Sequence, residues 1–260
     1  MSAAPPRGVV LLTDRGATGG SAPGALVRVV AGAVAGGVRW VVLREKDLPR
    51  AERAALAADL RPILAAAGGT LIVAGPDPLG GDAVHLPAAG PYPPPRPDPA
   101  GQLRPWLVGR SCHDAAELAR LTTEDYATLS PVYPSRSKPG YGPPLGPRRL
   151  GELIRLSPVP VLALGGIETP DQVRACLAAG AAGVAVQGAI MRAPNPAEAA
   201  ATLTTAWAEA RAGHARAEVS HRGLGPTVPA QGSSLTARSG HGRPQPSTAT
   251  TDRRASEANP

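Results

Sequence analysis

Of the 27 basic side chains in the sequence, only Lys46 and Lys138 are lysines, and each stands beside other anion-binding residue types. The first segment reads Leu43-Arg44-Glu45-Lys46-Asp47. On an extended chain, alternation sends Arg44 and Lys46 to the same side. Two adjacent cations there suit a phosphate or diphosphate. The plainer use of the same residues is a solvated ion-pair cluster with Glu45 and Asp47. The second segment, Ser135-Arg136-Ser137-Lys138, lies in a loop rich in Pro and Gly. Hydroxyls flanking a guanidinium and followed by an ammonium can bind an anionic oxygen and position a leaving or attacking group; an ordinary Pro/Gly loop is the alternative. Further on come Gly165-Gly166 and Gln187-Gly188, where glycines let backbone N–H groups approach a ligand closely. Ser111 precedes Cys112-His113. Neighbours on a strand point to opposite faces, so Cys112 and His113 do not make a nucleophile pair. Ser111 or His113 reads more readily as the N-cap of the helix that follows than as a catalytic group. His85, inside a short apolar run, reads as a hydrogen-bonded structural histidine rather than a base.

The elements that would position these residues are visible as apolar runs. Eight of them, Val9–Thr13, Arg39–Arg44, Thr70–Ala74, Ala83–Leu86, Leu107–Ser111, Tyr126–Leu129, Val159–Leu164 and Gly183–Gln187, are rich in Val, Ile and Leu with little alternation. That pattern predicts strands buried on both faces of a parallel sheet. Helix-length stretches lie between them at Ala22–Ala35, Ala51–Ala67, His113–Leu121, Gly146–Leu156 and Pro170–Gly180, and Pro196–Ala212 closes the series. Asn195 is placed to cap this last helix, with Pro196 at its first position. Such a series predicts an α/β fold, a (β/α)8 TIM barrel. The doubly wound open sheet competes, but its glycine fingerprint is missing after the first run. Two places fit less well. Gly75–Asp82 is too short for a full helix, and residues 87–105 hold eight Pro, so any helix there is short. In such a barrel, active groups project from the C-terminal ends of strands, and the seventh and eighth loops commonly cradle a phosphate.

Composition excludes several other classes. Gly and Pro, 31 of each in 260 residues, show no three-residue period and so no collagen. No apolar run reaches the roughly 18 residues needed to cross a bilayer. The segment before Asp14 does not read as a secretory signal. Cys112 and Cys176 are too few for a disulfide framework, so a reducing cytoplasm is expected. The formal net charge of +7 invites nucleic acid. Residues 213–260 carry +3 of it, however, and no basic cluster is interleaved with aromatics. That stretch has no apolar period and reads as a disordered Arg/Pro/Ser/Thr-rich tail, which leaves residues 1–212 as the barrel domain.

Taken in order, LLTDR (11–15), LREK (43–46), DAVHL (82–86), GRSCH (109–113), DYATLSPVYPSRSKPGYG (125–142), PVLALGGI (160–167) and AAGVAVQGAI (181–190) resemble the thiamine phosphate synthase/TenI family across about residues 9–210. The resemblance implies a (β/α)8 barrel that binds a phosphorylated thiazole. In the synthase branch it implies a transferase of thiamine biosynthesis. That enzyme joins the thiazole to an aminopyrimidine diphosphate with Mg²⁺ and releases pyrophosphate. The TenI branch isomerises a thiazole carboxylate phosphate instead. Arg44 and Lys46 match the family's diphosphate-binding pair, and Ser111 its diphosphate-bonded serine. Ser135 and Ser137 stand at its Thr-x-Thr, and Lys138 at its lysine. Gly165, Gly166 and Gly188, with Gln187 beside the last, match the thiazole phosphate cradle.

The departures from the family pattern are also specific. Val42 stands where the synthase has Gln, Ala74-Gly75 where it has Asn-Asp, and Pro87-Ala88-Ala89-Gly90 where it has Gly-Gln-x-Asp. The usual Mg²⁺ carboxylates are thus replaced and no metal ligand is assigned, although Asp77 lies near enough to substitute. Pro131 occupies the position of TenI's catalytic His. Three functions therefore remain open: a synthase-type transferase, a TenI-like thiazole tautomerase, and a non-catalytic thiazole-phosphate-binding regulator. The expected partners are the phosphorylated thiazole and the pyrimidine diphosphate, and a homodimer is the expected assembly. Neither nucleic acid nor membrane is expected.

Overall fold

The computed structural model describes residues 4–18, 24–81, 83–90, 96–97, 103–104, 107–136, 140 and 142–223. Eight strands, β1 (Gly8–Leu12), β2 (Trp40–Leu43), β3 (Thr70–Ala74), β4 (Ala83–Leu86), β5 (Leu107–Cys112), β6 (Tyr126–Leu129), β7 (Val161–Leu164) and β8 (Gly183–Val186), close into a barrel. Every pairing around the ring is parallel, and Gly8 to Leu11 of β1 lies in register with Gly183 to Val186 of β8, which shuts it. The TIM barrel expected from the eight apolar runs is therefore observed.

The lack of alternation in those runs has a direct cause. Val10 and Leu12 of β1, Val42 of β2, Ile72 and Ala74 of β3 and Leu162 of β7 pack together in the lumen. Their neighbours Val9, Leu11, Val41, Leu43, Leu71, Val73, Val161 and Ala163 pack outward with the helices. Both faces of each strand are buried, so both are apolar. Tyr126 enters the lumen from β6 and needs room across it. A Cβ at residue 109 of β5 would collide with the Tyr126 ring, so glycine is required there.

The outer helices are α1 (Ala25–Ala35), α2 (Arg50–Ala66), α3 (Ala115–Ala119), α4 (Gly146–Ile154), α5 (Pro170–Ala178), α6 (Gly188–Met191) and α7 (Pro196–Gly223). The described residues between β3 and β4 are non-helical. Those between β4 and β5 hold only a two-stranded ribbon, Arg96–Pro97 with Leu103–Arg104. Asn195 caps α7, its side chain accepting the Glu198 N–H at 3.2 Å. The cap of α3 differs from expectation. Asp114, not Ser111 or His113, accepts the Glu117 N–H at 2.8 Å, because β5 extends to Cys112 and carries Ser111 with it. α7 continues past Ala212 to Gly223; residues 213–223 contain Ala, Arg and Glu and no Pro, so nothing in them stops a helix. The remainder of the expected tail, 224–260, lies outside the described residues. No described helix is long and apolar enough to cross a membrane.

Candidate active site

A cavity of about 340 Å³ opens at the C-terminal ends of the strands. Apolar side chains of the lumen, among them Val10, Val42, Ala74 and Leu162, close its base. Arg44, Lys46, Ser111, Ser135, Gly165, Gly166, Gln187 and Gly188 all line it, so one cavity gathers these expected site residues. Ser137 and Lys138 lie outside the described residues.

Alternation after β2 works as expected. Arg44 and Lys46 line the cavity, while Glu45 is buried away from it and accepts the Arg15 N–H at 3.2 Å. Asp47 pairs with Arg15 at 2.6 Å, and that hydrogen bond holds its carboxyl below the usual range. The acids of this segment thus turn to Arg15 and do not neutralise Arg44. Arg44 is held from two sides: its N–H donates to Thr13 Oγ1 at 3.0 Å and its Nη1 to Gln187 Oε1 at 3.1 Å. Gln187 in turn donates Nε2 to Asp14 Oδ2 at 2.5 Å. The Gln187 amide therefore links Asp14 to Arg44 and orients the guanidinium.

The opposite rim is built from the loops after β6 and β7. Val132 N–H donates to Leu164 O at 2.9 Å and Tyr133 N–H to Gly165 O at 3.0 Å. Gly166 has φ of +65°, and a Cβ there would strike the carbonyls of Tyr133 and Pro134; only glycine lets these loops close together. Beside them the Arg192 guanidinium lies against Gly188 and pairs with Glu168 at 3.0 Å.

Deeper in, His85 lines the cavity instead of serving the scaffold alone. Its Nε2 lies 3.0 Å from Ser111 Oγ, and its Nδ1 lies 3.1 Å from the Tyr126 hydroxyl. Burial, then the cations Lys46, Arg44 and Arg110, push its pKa down to about 3. The imidazole is neutral at working pH. Cys112 faces the outer core, and burial pushes its thiol up to about 12, so it is not a nucleophile.

Sequence reasoning missed His85, Tyr126 and Thr128 as one lumenal group, and Asp14, Glu168 and Arg192 at the rim. Alternation would have found Thr128, which is two residues from Tyr126 on the same strand. Arg192 lies one helical turn beyond Gly188. Nothing local marks the others.

The described lining of the cavity does not fit a divalent metal. Ala74 and Pro87 stand at the ends of β3 and β4 without an oxygen side chain. Among the described lining residues Glu168 is the one acid, and Arg192 engages it. Asp77 does not substitute. It binds Arg50 at 2.6 Å and the Leu79 N–H at 2.9 Å, away from the lining. Among the described residues, no three His, Cys, Asp or Glu come together to hold an ion.

The sequence profile described as thiamine monophosphate synthase matches residues 9–190. A provisionally named thiamine-phosphate synthase of Geobacter sulfurreducens is 40% identical over 204 residues, covering 74% of this chain and 91% of the relative. The thiamine-phosphate synthase of Roseiflexus sp. (strain RS-1) is 33% identical over 216 residues, covering 80% and 89%. Among solved structures, thiamine phosphate pyrophosphorylase from Pyrococcus furiosus superposes with a TM-score of 0.62 at 22% identity. It covers 78% of this chain and 96% of its own, and supports the barrel fold.

Proposed function

This chain belongs to the thiamine monophosphate synthase family, a family of thiamine biosynthesis. From that premise we propose that it joins an aminopyrimidine diphosphate to a thiazole phosphate and releases pyrophosphate. The observation that carries this reading is convergence. Arg44, Lys46, Ser111 and Ser135 line the same cavity as the glycines of the β7 and β8 loops. In the reaction the methylene C–O bond of the pyrimidine diphosphate breaks, and the oxygen keeps the electron pair. The thiazole nitrogen then donates its pair to the methylene carbon and forms the new C–N bond. Arg44 and Lys46 bind the diphosphate, with Gln187 and Asp14 orienting Arg44. Ser111, Ser135, Ser137 and Lys138 stabilise the departing oxygens. Gly165, Gly166, Gln187 and Gly188 are assigned to the thiazole phosphate. The relatives, named as synthases, do not favour the tautomerase or the regulator. Mg²⁺ is the family's expected ion, but the residues at the ends of β3 and β4 do not fit it, and no step is routed through it.

The test is an assay with both substrates, run with Mg²⁺ and with a chelator. Pyrophosphate and thiamine phosphate should appear together, and Lys138→Ala should slow their release about 10²- to 10³-fold. No pyrophosphate from the unaltered protein under either condition would sink the reading.

A further inference from the structure

Four polar side chains that line the cavity meet deep within it, and among the described residues their hydrogen-bonding capacities allow only one neutral arrangement without an unmet donor. Tyr126 is fully buried, and His85 Nδ1, at 3.1 Å, is its hydroxyl's one hydrogen-bond partner among the described residues. The two rings stack with centroids 5.6 Å apart, which holds the imidazole plane. A buried hydroxyl hydrogen needs an acceptor. Nδ1 must therefore present its lone pair, and the imidazole proton sits on Nε2. The other tautomer would point an N–H at the Tyr126 oxygen and leave the buried phenol hydrogen with no acceptor among the described residues. An imidazolium would do the same, close to Arg44, Lys46 and Arg110.

The Nε2 proton faces Ser111 Oγ at 3.0 Å and Thr128 Oγ1 at 3.4 Å. Both oxygens act as acceptors toward it, so their own hydrogens turn elsewhere. Ser111 and Thr128 both line the cavity. We propose that His85 is a positioning residue: Tyr126 fixes it as the Nε2–H tautomer, and it aims the Ser111 and Thr128 hydroxyls into the cavity as a pair of neutral donors for an anionic oxygen. The pair supplies donors in the same cavity whose β3 and β4 ends carry Ala74 and Pro87 in place of carboxylates. Identifying the anion as the diphosphate rests on the proposed function; the wiring of the four side chains does not.

Two measurements on the full chain test this separately. The first is the long-range proton–nitrogen spectrum of ¹⁵N-histidine-labelled protein at neutral pH, with the His85 signals identified by their loss in His85→Gln. The expected result is a protonated Nε2 and an unprotonated Nδ1, with Tyr126→Phe giving a mixture of tautomers. A protonated Nδ1 or an imidazolium in the unaltered protein would overturn the wiring. The second is calorimetry with inorganic pyrophosphate. Tyr126→Phe and His85→Leu should weaken binding about tenfold, the effect of losing one hydrogen bond to a charged group. His85→Gln, whose amide can still donate to Ser111, should stay within about threefold. Equal binding by the unaltered protein, Tyr126→Phe and His85→Leu would overturn the donor pair. If the spectrum is as expected but the unaltered protein ignores pyrophosphate, the wiring is upheld and the diphosphate reading falls.

Discussion

Arg110 and Ser111 are neighbours on β5, face opposite sides of the barrel wall, and meet opposite surroundings. On the outer side Arg110 Nε pairs with Glu124 Oε1 at 2.5 Å, both side chains being almost wholly buried. Glu124 Oε2 accepts the N–H groups of Thr122 and Thr123, and Arg110 Nη1 donates to Pro87 O at 2.9 Å. This group is charged and committed to holding loops. On the inner side Ser111 belongs to a neutral network in which the Ser111 and Thr128 hydroxyls each keep a hydrogen for the cavity while that of Tyr126 goes to His85. The contrast teaches a division of labour. A buried carboxylate must spend its oxygens on the scaffold, since an uncompensated buried charge is costly. A neutral network leaves donor capacity over for a ligand.

Breaking each side should give a different signature. The largest effect is expected from Glu124→Ala, which removes the carboxylate that faces Arg110 inside the wall. Stability should fall by about 3–5 kcal/mol, seen as a drop in Tm on the order of 10 °C. A loss below about 1 kcal/mol would mean that the outer pair is not the scaffold element described. Ser111→Ala should do the reverse, with stability within about 1 kcal/mol of the parent and turnover down about 10²- to 10³-fold. Parallel losses in both would erase the distinction between the faces.

The smallest effect is a pH slope. His85 titrates at about 3 in the fold against an ordinary 6.5. Between these values the unfolded chain binds a proton that the folded chain refuses. The contribution is therefore intact above pH 6.5 and declines as pH falls toward 3. At most about 1.4 kcal/mol is lost per pH unit, and water in the cavity reduces this. His85→Gln should flatten that part of the acid limb in urea melts between about pH 7 and pH 4. An unchanged limb would place the acid sensitivity elsewhere.

Much of the frame was legible in the chain. Glu45 and Lys46 show how far local pattern reaches: strand alternation separated them correctly, one outward and one toward the cavity. Asp114 shows where it stops. Ser111 and His113 were the expected caps of α3, but β5 runs on to Cys112 and the cap falls on Asp114. His85 was read correctly as hydrogen-bonded, but the reading placed it in the scaffold. Its partners lie 26 and 41 positions away in the chain, and no spacing rule reaches that far.

The sequence by itself determined the eight strands, each to within one residue of its C-terminal end, and so which cations and glycines reach the barrel mouth. It could do so because strands buried on two faces are written as unbroken apolar runs. Only the tertiary structure decided what those ends touch. Closure sets β1 beside β8, so Gln187 bridges Asp14 and Arg44 across separations of 173 and 143 residues. Closure also folds Tyr126 across the lumen onto His85, which sets the proton on its ring. These pairings follow from strand register around a closed ring, a property that no single segment of the chain contains.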